Sequence, residues 1–538
     1  MIRTLCLPHN VVFPTRNAVD LAKQKFHPLI TSYQLKSEVN VKDLLKETVD
    51  SIVELSSVAE DNTGTVLQLI GKFGVDGSGS HKIRHQLIDT ALASAETSHL
   101  DLEKTNSFLL SCYCPLELRS EGNTLLWSNP VPNSTSFARP VTLTRAAEDR
   151  DVLAVELEPS FEIIRDVYQC EVTIGGKKVR VDCKTECSMV DGKMVGLLQG
   201  DTGSFCHLCH VSRQDANDVT VIADGFMITK SYETCQAAWE KMSASETVLS
   251  SKDRDGQCHE NIVKSDLFCF SVLHFKLRSL DFAQKILYHL VGGQKIWSET
   301  VNLRVQSFIL RAKTECIDAL REKTGMLIDS PSTSGGNTNC GPLADRFFSL
   351  QNRDEICSLI LNTEDRNNYR KFLSLTNIVL TVVQSVDAKK RVRVQAFKEF
   401  CIKLMLHMKN SFLNEKGESW VMIIPTFHQL CGHSWQLFER NNGSSIAKWS
   451  ESPVESWNKY VRSFQSGPAS RARQLSIKDN IHDIFRRMLI DSHPAIASKC
   501  PRPTCSVCGE VGHTARSSRY HAATALGEED SIIQFLYL

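Results

Sequence analysis

The chain of 538 residues has no excess of either charge: 62 Lys and Arg are matched by 62 Asp and Glu, and the pI is about 7.2. A domain built throughout for a polyanion is basic, so a nucleic-acid surface here would be local and offset by acidic residues elsewhere. No apolar run approaches the length of a membrane span, so no transmembrane helix is expected. The first residues lack the charged and apolar regions of a secretory leader. The 19 Cys are therefore expected in a reducing compartment, cytosol or nucleus, as free thiols or metal ligands. There is no internal repeat. What is present is an ordinary globular composition, 42% hydrophobic and 23% charged, in a chain long enough for several domains.

Residues 1–65 read as mixed and mostly helical, with Leu44, Leu45, Val49, Ile52, Val53 and Leu55 near helical spacing. Residues 65–75 read as a strand. It runs into Asp76-Gly77-Ser78-Gly79-Ser80, a turn by composition, which places Asp76 at a strand's end. Further strands are expected over 107–116 and 124–127, a helix over 145–168, and a hairpin over 172–183 about Gly175-Gly176. Strands around a helix make the first half α/β or α+β. From about 226 to 440 the patterning is helical, broken by a polar loop over 330–339. After Pro494 the chain is rich in Pro, Cys, His and Arg and has no period.

Three groups of residues stand out. Asp76 and Asp191 each precede a Gly, and Glu455 follows Ser452-Pro453-Val454. Asp-Gly alone is a turn, and Ser-Pro-Val-Glu alone is a capping box with Ser452 as N-cap and Glu455 at the third helical position. Together, three carboxylates can hold a pair of divalent cations for phosphoryl transfer. Cys206-His207-Leu208-Cys209 offers half of a tetrahedral metal site, and His428 with His433 offers two further ligands. The alternative is core thiols and ordinary buried histidines. Cys505-Ser506-Val507-Cys508 with Gly512-His513 is most of a zinc knuckle, against the alternative of a structureless tail. The usual fourth ligand falls at Ser518, a poor one, for which Cys500 or His521 would substitute. Basic residues cluster at Lys389, Lys390, Arg391 and Arg393, then at Lys459, Arg462, Arg471 and Arg473, then at Arg486 and Arg487. They suit a phosphate backbone or, more blandly, a solvated helix face.

Ser445-Ile446-Ala447-Lys448-Trp449, followed by Glu455-Ser456-x-Asn458-Lys459, resembles the motif around the catalytic glutamate in Transib transposases and the catalytic subunit of the V(D)J recombinase. Asp76-Gly77-x-Gly79 resembles that family's first catalytic aspartate motif. Asp191-x-Lys193-x-Val195, just ahead of Cys206-x-x-Cys209, resembles the second. Phe427-His428 and His433 match its distant zinc ligands. Leu7-Pro8 to Ala22-Lys23 and His27-Pro28 are similar to the region before its catalytic fold. The likeness covers roughly residues 1–500.

The resemblance implies an α+β protein with an RNase H-like core carrying the triad Asp76, Asp191 and Glu455, interrupted by a large, mostly helical zinc-binding insertion. Asp191 and Glu455 are separated by 264 positions, which leaves room for one. On this reading 1–65 precede the core. Its first part is 66–204, the zinc region with the Cys pair is 205–263, and the helical region with the His pair is 264–444. The glutamate segment is 445–494 and the tail 495–538. The implied cofactors are two Mg²⁺ or Mn²⁺ at the triad and one structural Zn²⁺ at Cys206, Cys209, His428 and His433, with a further Zn²⁺ at Cys505, Cys508 and His513.

The implied activity is nicking of double-stranded DNA at terminal inverted repeats or recombination signals, then hairpin formation and joining. It would be carried out in the nucleus by a homodimer, with or without an accessory subunit. Lys389, Lys390, Arg391, Lys459, Arg462, Arg471 and Arg473 would contact the DNA. The chain departs from the pattern in having neither a RING-type Cys/His array nor a clear separate basic domain, which fits a compact transposase or a shortened N-terminus. Two other functions compete: a decayed or domesticated DNA-binding protein of the same fold, and a zinc-stabilised scaffold unrelated to DNA.

Overall fold

The computed structural model describes residues 16–56, 66–78, 107–201, 205–245, 250, 254–267, 270–297, 303–329, 339–387, 390–466, 477–499 and 528–538. They form a mixed α+β protein in two compact units. One comprises Met1–Val190 and Glu451–Pro501, the other Asp191–Ser450 and Arg502–Leu538.

The first unit is built on strands β1 (Ile30–Ser32), β2 (Lys36–Val39), β3 (Val66–Ser78), β4 (Phe108–Ser120), β5 (Leu125–Ser128), β6 (Arg139–Thr144), β7 (Tyr168–Ile174) and β8 (Lys177–Met189). Their order in the sheet is β1-β2-β6-β4-β3-β8-β7, with β5 pairing β4. Strand β3 runs antiparallel to β4 and parallel to β8. Leu67 and Leu69 of β3 and Val181 and Cys183 of β8 are fully buried against Val49 and Ile52 of helix Val41–Ser56. The β7–β8 hairpin follows its sequence closely. Gly175 and Gly176 take φ of 55° and 80°, the two positive values that a tight hairpin turn needs. Along β7, Cys170, Val172 and Ile174 are buried while Glu171 and Thr173 are exposed, the period-two pattern of a half-buried strand.

Two expectations change in this unit. Strand β3 continues through Asp76 and Gly77, which pair with Leu110 and Leu109 of β4, so the Asp-Gly step is strand interior and not a turn. The helix expected to begin after Ser452 begins at Ser452 itself. The Glu451 carbonyl accepts from the N–H groups of Val454 at 3.1 Å and Glu455 at 3.4 Å. Glu455 therefore stands one place beyond the third helical position that a capping box requires.

The second unit is helical. Val272–Val291, Thr363–Gln384, Val394–Ser411 and Pro425–Arg440 bury Phe275, Phe282, Phe372, Phe397 and Phe427 in one core. The expectation of a tail without periodicity over 495–538 also changes. Helix Glu528–Phe535 packs into this unit: Glu529 forms a buried ion pair with Arg353 and accepts hydrogen bonds from Ser374 and from Asn377 (3.1 Å), and Leu536 is buried in the core. Among the described residues no helix is long and apolar enough to cross a membrane.

Candidate functional site

In the sheet unit, helix Ser452–Ser466 presents Val454, Trp457, Asn458 and Val461 as a buried stripe at helical spacing. The Trp457 indole donates to the Ala138 carbonyl at 2.8 Å. Asn458, fully buried, donates from Nδ2 to Oδ2 of Asp76 at 2.7 Å. The Asp76 side of β3 and the glutamate-bearing helix are thus tied directly, and Glu455, one turn before Asn458, is half-buried. Asp76 itself is 9% exposed. The Asn458 Oδ1 is buried with no hydrogen-bond partner among the described residues. Hard oxygen atoms of this kind, carboxylate and amide, suit Mg²⁺ or Mn²⁺.

Gly74, two residues before Asp76, sits where β3 and β8 approach closely. A Cβ there would lie 2.0 Å from the Met189 carbonyl oxygen, so no other residue fits without moving a strand. Lys72, four residues before Asp76, is fully buried and reaches Oδ1 of Asn133 at 3.5 Å. Burial lowers its ammonium pKa to about 8, against the opposing pull of the Cys114 thiol and the Glu451 carboxylate. Sequence reasoning missed Lys72 and Glu451, and named Asn458 only as a member of the glutamate motif. The alternation of Lys72, Gly74 and Asp76 along one strand was the available signal for the first.

In the helical unit, Asp191 is the N-cap of helix Gly192–Gln199. Its Oδ1 accepts from the Met194 N–H at 2.7 Å, satisfying one of the helix's unpaired backbone donors. It follows the last residue of β8 by two positions. Asp191 lines a pocket of about 240 Å³ whose wall includes Lys193, His207, His274, Arg278 and Gln429. Cations and ring N–H groups beside a carboxylate make a wall suited to phosphate oxygens. His207 and Gln429 meet at 3.2 Å, from Nδ1 to Nε2. Neither could be picked out from spacing alone, since each is simply the neighbour of a proposed metal ligand.

Those ligands do come together. Cys206, Cys209, His428 and His433 offer four donor atoms within 4.8 Å of one another, and all four residues are buried. The cluster can hold a metal ion such as zinc. The two histidines share helix Pro425–Arg440. Cys209 Sγ lies 3.3 Å from His428 Nε2, and the Leu208 N–H donates to Cys206 Sγ at 3.4 Å. Burial opposes ionisation of Cys206, but hydrogen bonds from Cys209, His428 and His433 outweigh it and hold the thiol well below its ordinary range. Cys209 is pushed up, first by its bond to Cys206 and then by burial. Burial also lowers His428, keeping it the neutral base a metal requires.

The His433 Nδ1 sits 3.0 Å from Gln436 Oε1, which also accepts from the Ile228 N–H at 3.1 Å. With Nδ1 engaged by Gln436, the buried Nε2 is the His433 nitrogen left for the cluster. Because His207 lies between the two cysteines and Gln429 follows His428, the cluster also holds two pieces of the Asp191 pocket wall.

Lys459 and Arg462 are exposed on the Glu455 helix, and Lys390, Arg391 and Arg393 are exposed in the helical unit. Arg486 and Arg487 both pair with Asp483, at 3.6 and 2.9 Å. Lys389, Arg471, Arg473 and the knuckle residues Cys505, Cys508 and His513, with Cys500, Ser518 and His521, lie outside the described residues. Neither a protein-family model nor a curated protein matches the chain.

Proposed function

We propose that the chain is an Asp-Asp-Glu DNA endonuclease of the transposase or recombinase type, with an RNase H-like core and a zinc-stapled helical insertion. The observation that carries this reading is the Asn458–Asp76 hydrogen bond, which fixes the helix bearing Glu455 on the strand bearing Asp76. Asp191 enters as the third carboxylate through its place directly after β8, the strand that runs parallel to β3. Two divalent ions bound by such a set would activate the attacking oxygen and stabilise the leaving oxygen. The chain's own part is to orient and to neutralise. Asn458 holds one oxygen of Asp76, and the helix N-terminus holds one oxygen of Asp191. Lys193, Arg278 and His207 offer positive and donor groups for a backbone phosphate beside Asp191. Lys459 and Arg462 offer the same along the glutamate helix. In the cluster, thiolate and imidazole donors with no open position describe a structural Zn²⁺ rather than a catalytic one.

A second reading, a DNA-binding protein of this fold that does not cut, is favoured by one fact. Asp76 and Asp191 each already spend one oxygen on a structural hydrogen bond. The test is to incubate the purified protein, with Mg²⁺ or Mn²⁺, with linear duplex carrying the terminal repeats that flank its own gene. A nick leaving a 3′-hydroxyl, followed by a hairpin end, supports the endonuclease. Binding without cutting in either metal supports the second reading.

A further inference from the structure

Residues 390–393 form a short extended edge in the helical unit. The Val392 N–H donates to the Gly443 carbonyl at 2.9 Å on one side. On the other side the end of the chain pairs with it. Arg393 N–H donates to Leu536 O at 2.8 Å, Leu538 N–H to Arg391 O at 2.7 Å, and Val392 bridges Tyr537 antiparallel. Leu536 is sunk in the core at 1% exposure, while its neighbour Phe535 is 58% exposed. The Arg393 guanidinium lies 5.4 Å from the Phe535 ring centre and the Lys390 ammonium 5.3 Å from that of Tyr537. Lys390, Arg391 and Arg393 are all exposed. Burial and, after it, the Asp387 carboxylate raise the Tyr537 pKa, against a hydrogen bond with Ser385.

We propose that Lys390, Arg391 and Arg393 with Phe535 and Tyr537 form a platform for single-stranded DNA. Sites for unpaired strands combine a run of cations that tracks phosphates with aromatic rings on which bases stack. Both are present here, and the edge is rigid because its backbone bonds and the buried Leu536 fix the rings. A duplex hides its base faces within the stack, so an open ring such as Phe535 gains only from an unpaired base. The platform needs binding alone and so goes beyond the proposed cutting reaction.

The experiment uses the full chain, with fluorescence anisotropy on labelled oligo-dT, on oligo-U of equal length, and on the corresponding duplex. The wild type binds oligo-dT. Phe535→Ala binds it about ten-fold more weakly, as expected for one lost stack, while Phe535→Trp retains affinity. Thermal unfolding of both variants matches wild type, because the ring is mostly in solvent. Lys390→Ala lowers the slope of log affinity against log salt by about 0.7. The proposal is overturned if the wild type does not bind oligo-dT or Phe535→Ala binds it as tightly as wild type. It is also overturned if Phe535→Ala weakens duplex and single strand equally, or if oligo-U binds more tightly than oligo-dT.

Discussion

The two units carry donor sets of opposite chemistry. The helical unit brings together two thiols and two imidazoles from segments more than two hundred positions apart, all buried and all within 4.8 Å of one another. The sheet unit offers oxygen: Asp76 at 9% exposure, half-buried Glu455, and the Asn458 amide that engages Asp76. A closed set of soft ligands has no position for substrate, so its contribution is to folding. A set of hard oxygens suits a hydrated cation and a phosphate. On the proposed reading, donor type and burial thus separate a structural metal site from the carboxylates that would act on DNA.

The strongest way to break that contrast is at the cluster. Cys209→Ala and His433→Ala should each release bound zinc and unfold the helical unit, because the metal's binding free energy, on the order of 10 kcal/mol, is folding free energy. Zinc content by mass spectrometry and thermal unfolding would show it. Unchanged values in both variants would mean that these residues are core thiols and histidines.

A smaller effect sharpens the other side. Lys72 is buried as a cation whose pKa falls from 10.5 to about 8, a depression worth roughly 3 kcal/mol against the fold wherever the lysine is charged. The folded pKa lies below the unfolded one. The penalty is therefore complete below about pH 8 and disappears as pH rises to 10.5. Lys72→Met should stabilise the sheet unit near neutral pH, and its advantage should vanish by pH 10.5, as read by urea unfolding at both pH values. Equal stability of the two proteins at neutral pH would show that the opposing pull of Glu451 offsets burial. The variant should leave zinc content unchanged.

Gln436→Ala tests the support of the cluster without removing a ligand. Losing the group that fixes the His433 ring should weaken zinc affinity by about ten- to a hundred-fold. Competition with a chelator measures this, and an unaltered affinity would show that helix packing alone orients the ring.

Much of this was legible in the sequence where a local signal and the tertiary contact agree. The Gly175-Gly176 turn determines the hairpin on either side. The C-x-x-C step and the two histidines on one helix match what a tetrahedral site needs, so the four residues could be named before their contact was seen. Where tertiary pairing overrides local preference, the reading failed. Asp76-Gly77 has turn composition, yet β4 pairs with it residue by residue and draws it into the sheet. Ser452-Pro453-Val454-Glu455 has capping composition, yet the Glu451 carbonyl begins the helix one residue earlier. The pocket wall of His207, Arg278 and Gln429 had no pattern to read, since only folding assembles it. Glu528-Glu529-Asp530 ahead of Ile532 and Ile533 is a helix-start signal inside the otherwise aperiodic tail.

The central claim is that Asp76, Asp191 and Glu455 act together on DNA. It is tested most directly by comparing cutting with binding in Asp76→Asn, Asp191→Asn and Glu455→Gln. Each protein would be assayed on repeat-bearing duplex for nicking and hairpin formation in Mg²⁺ and Mn²⁺, and for affinity by gel shift. The account predicts that all three bind like the wild type, because affinity rests on phosphate contacts, and that none cuts. A substituted protein that cuts nearly as well as the wild type would remove its residue from the triad and contradict the account.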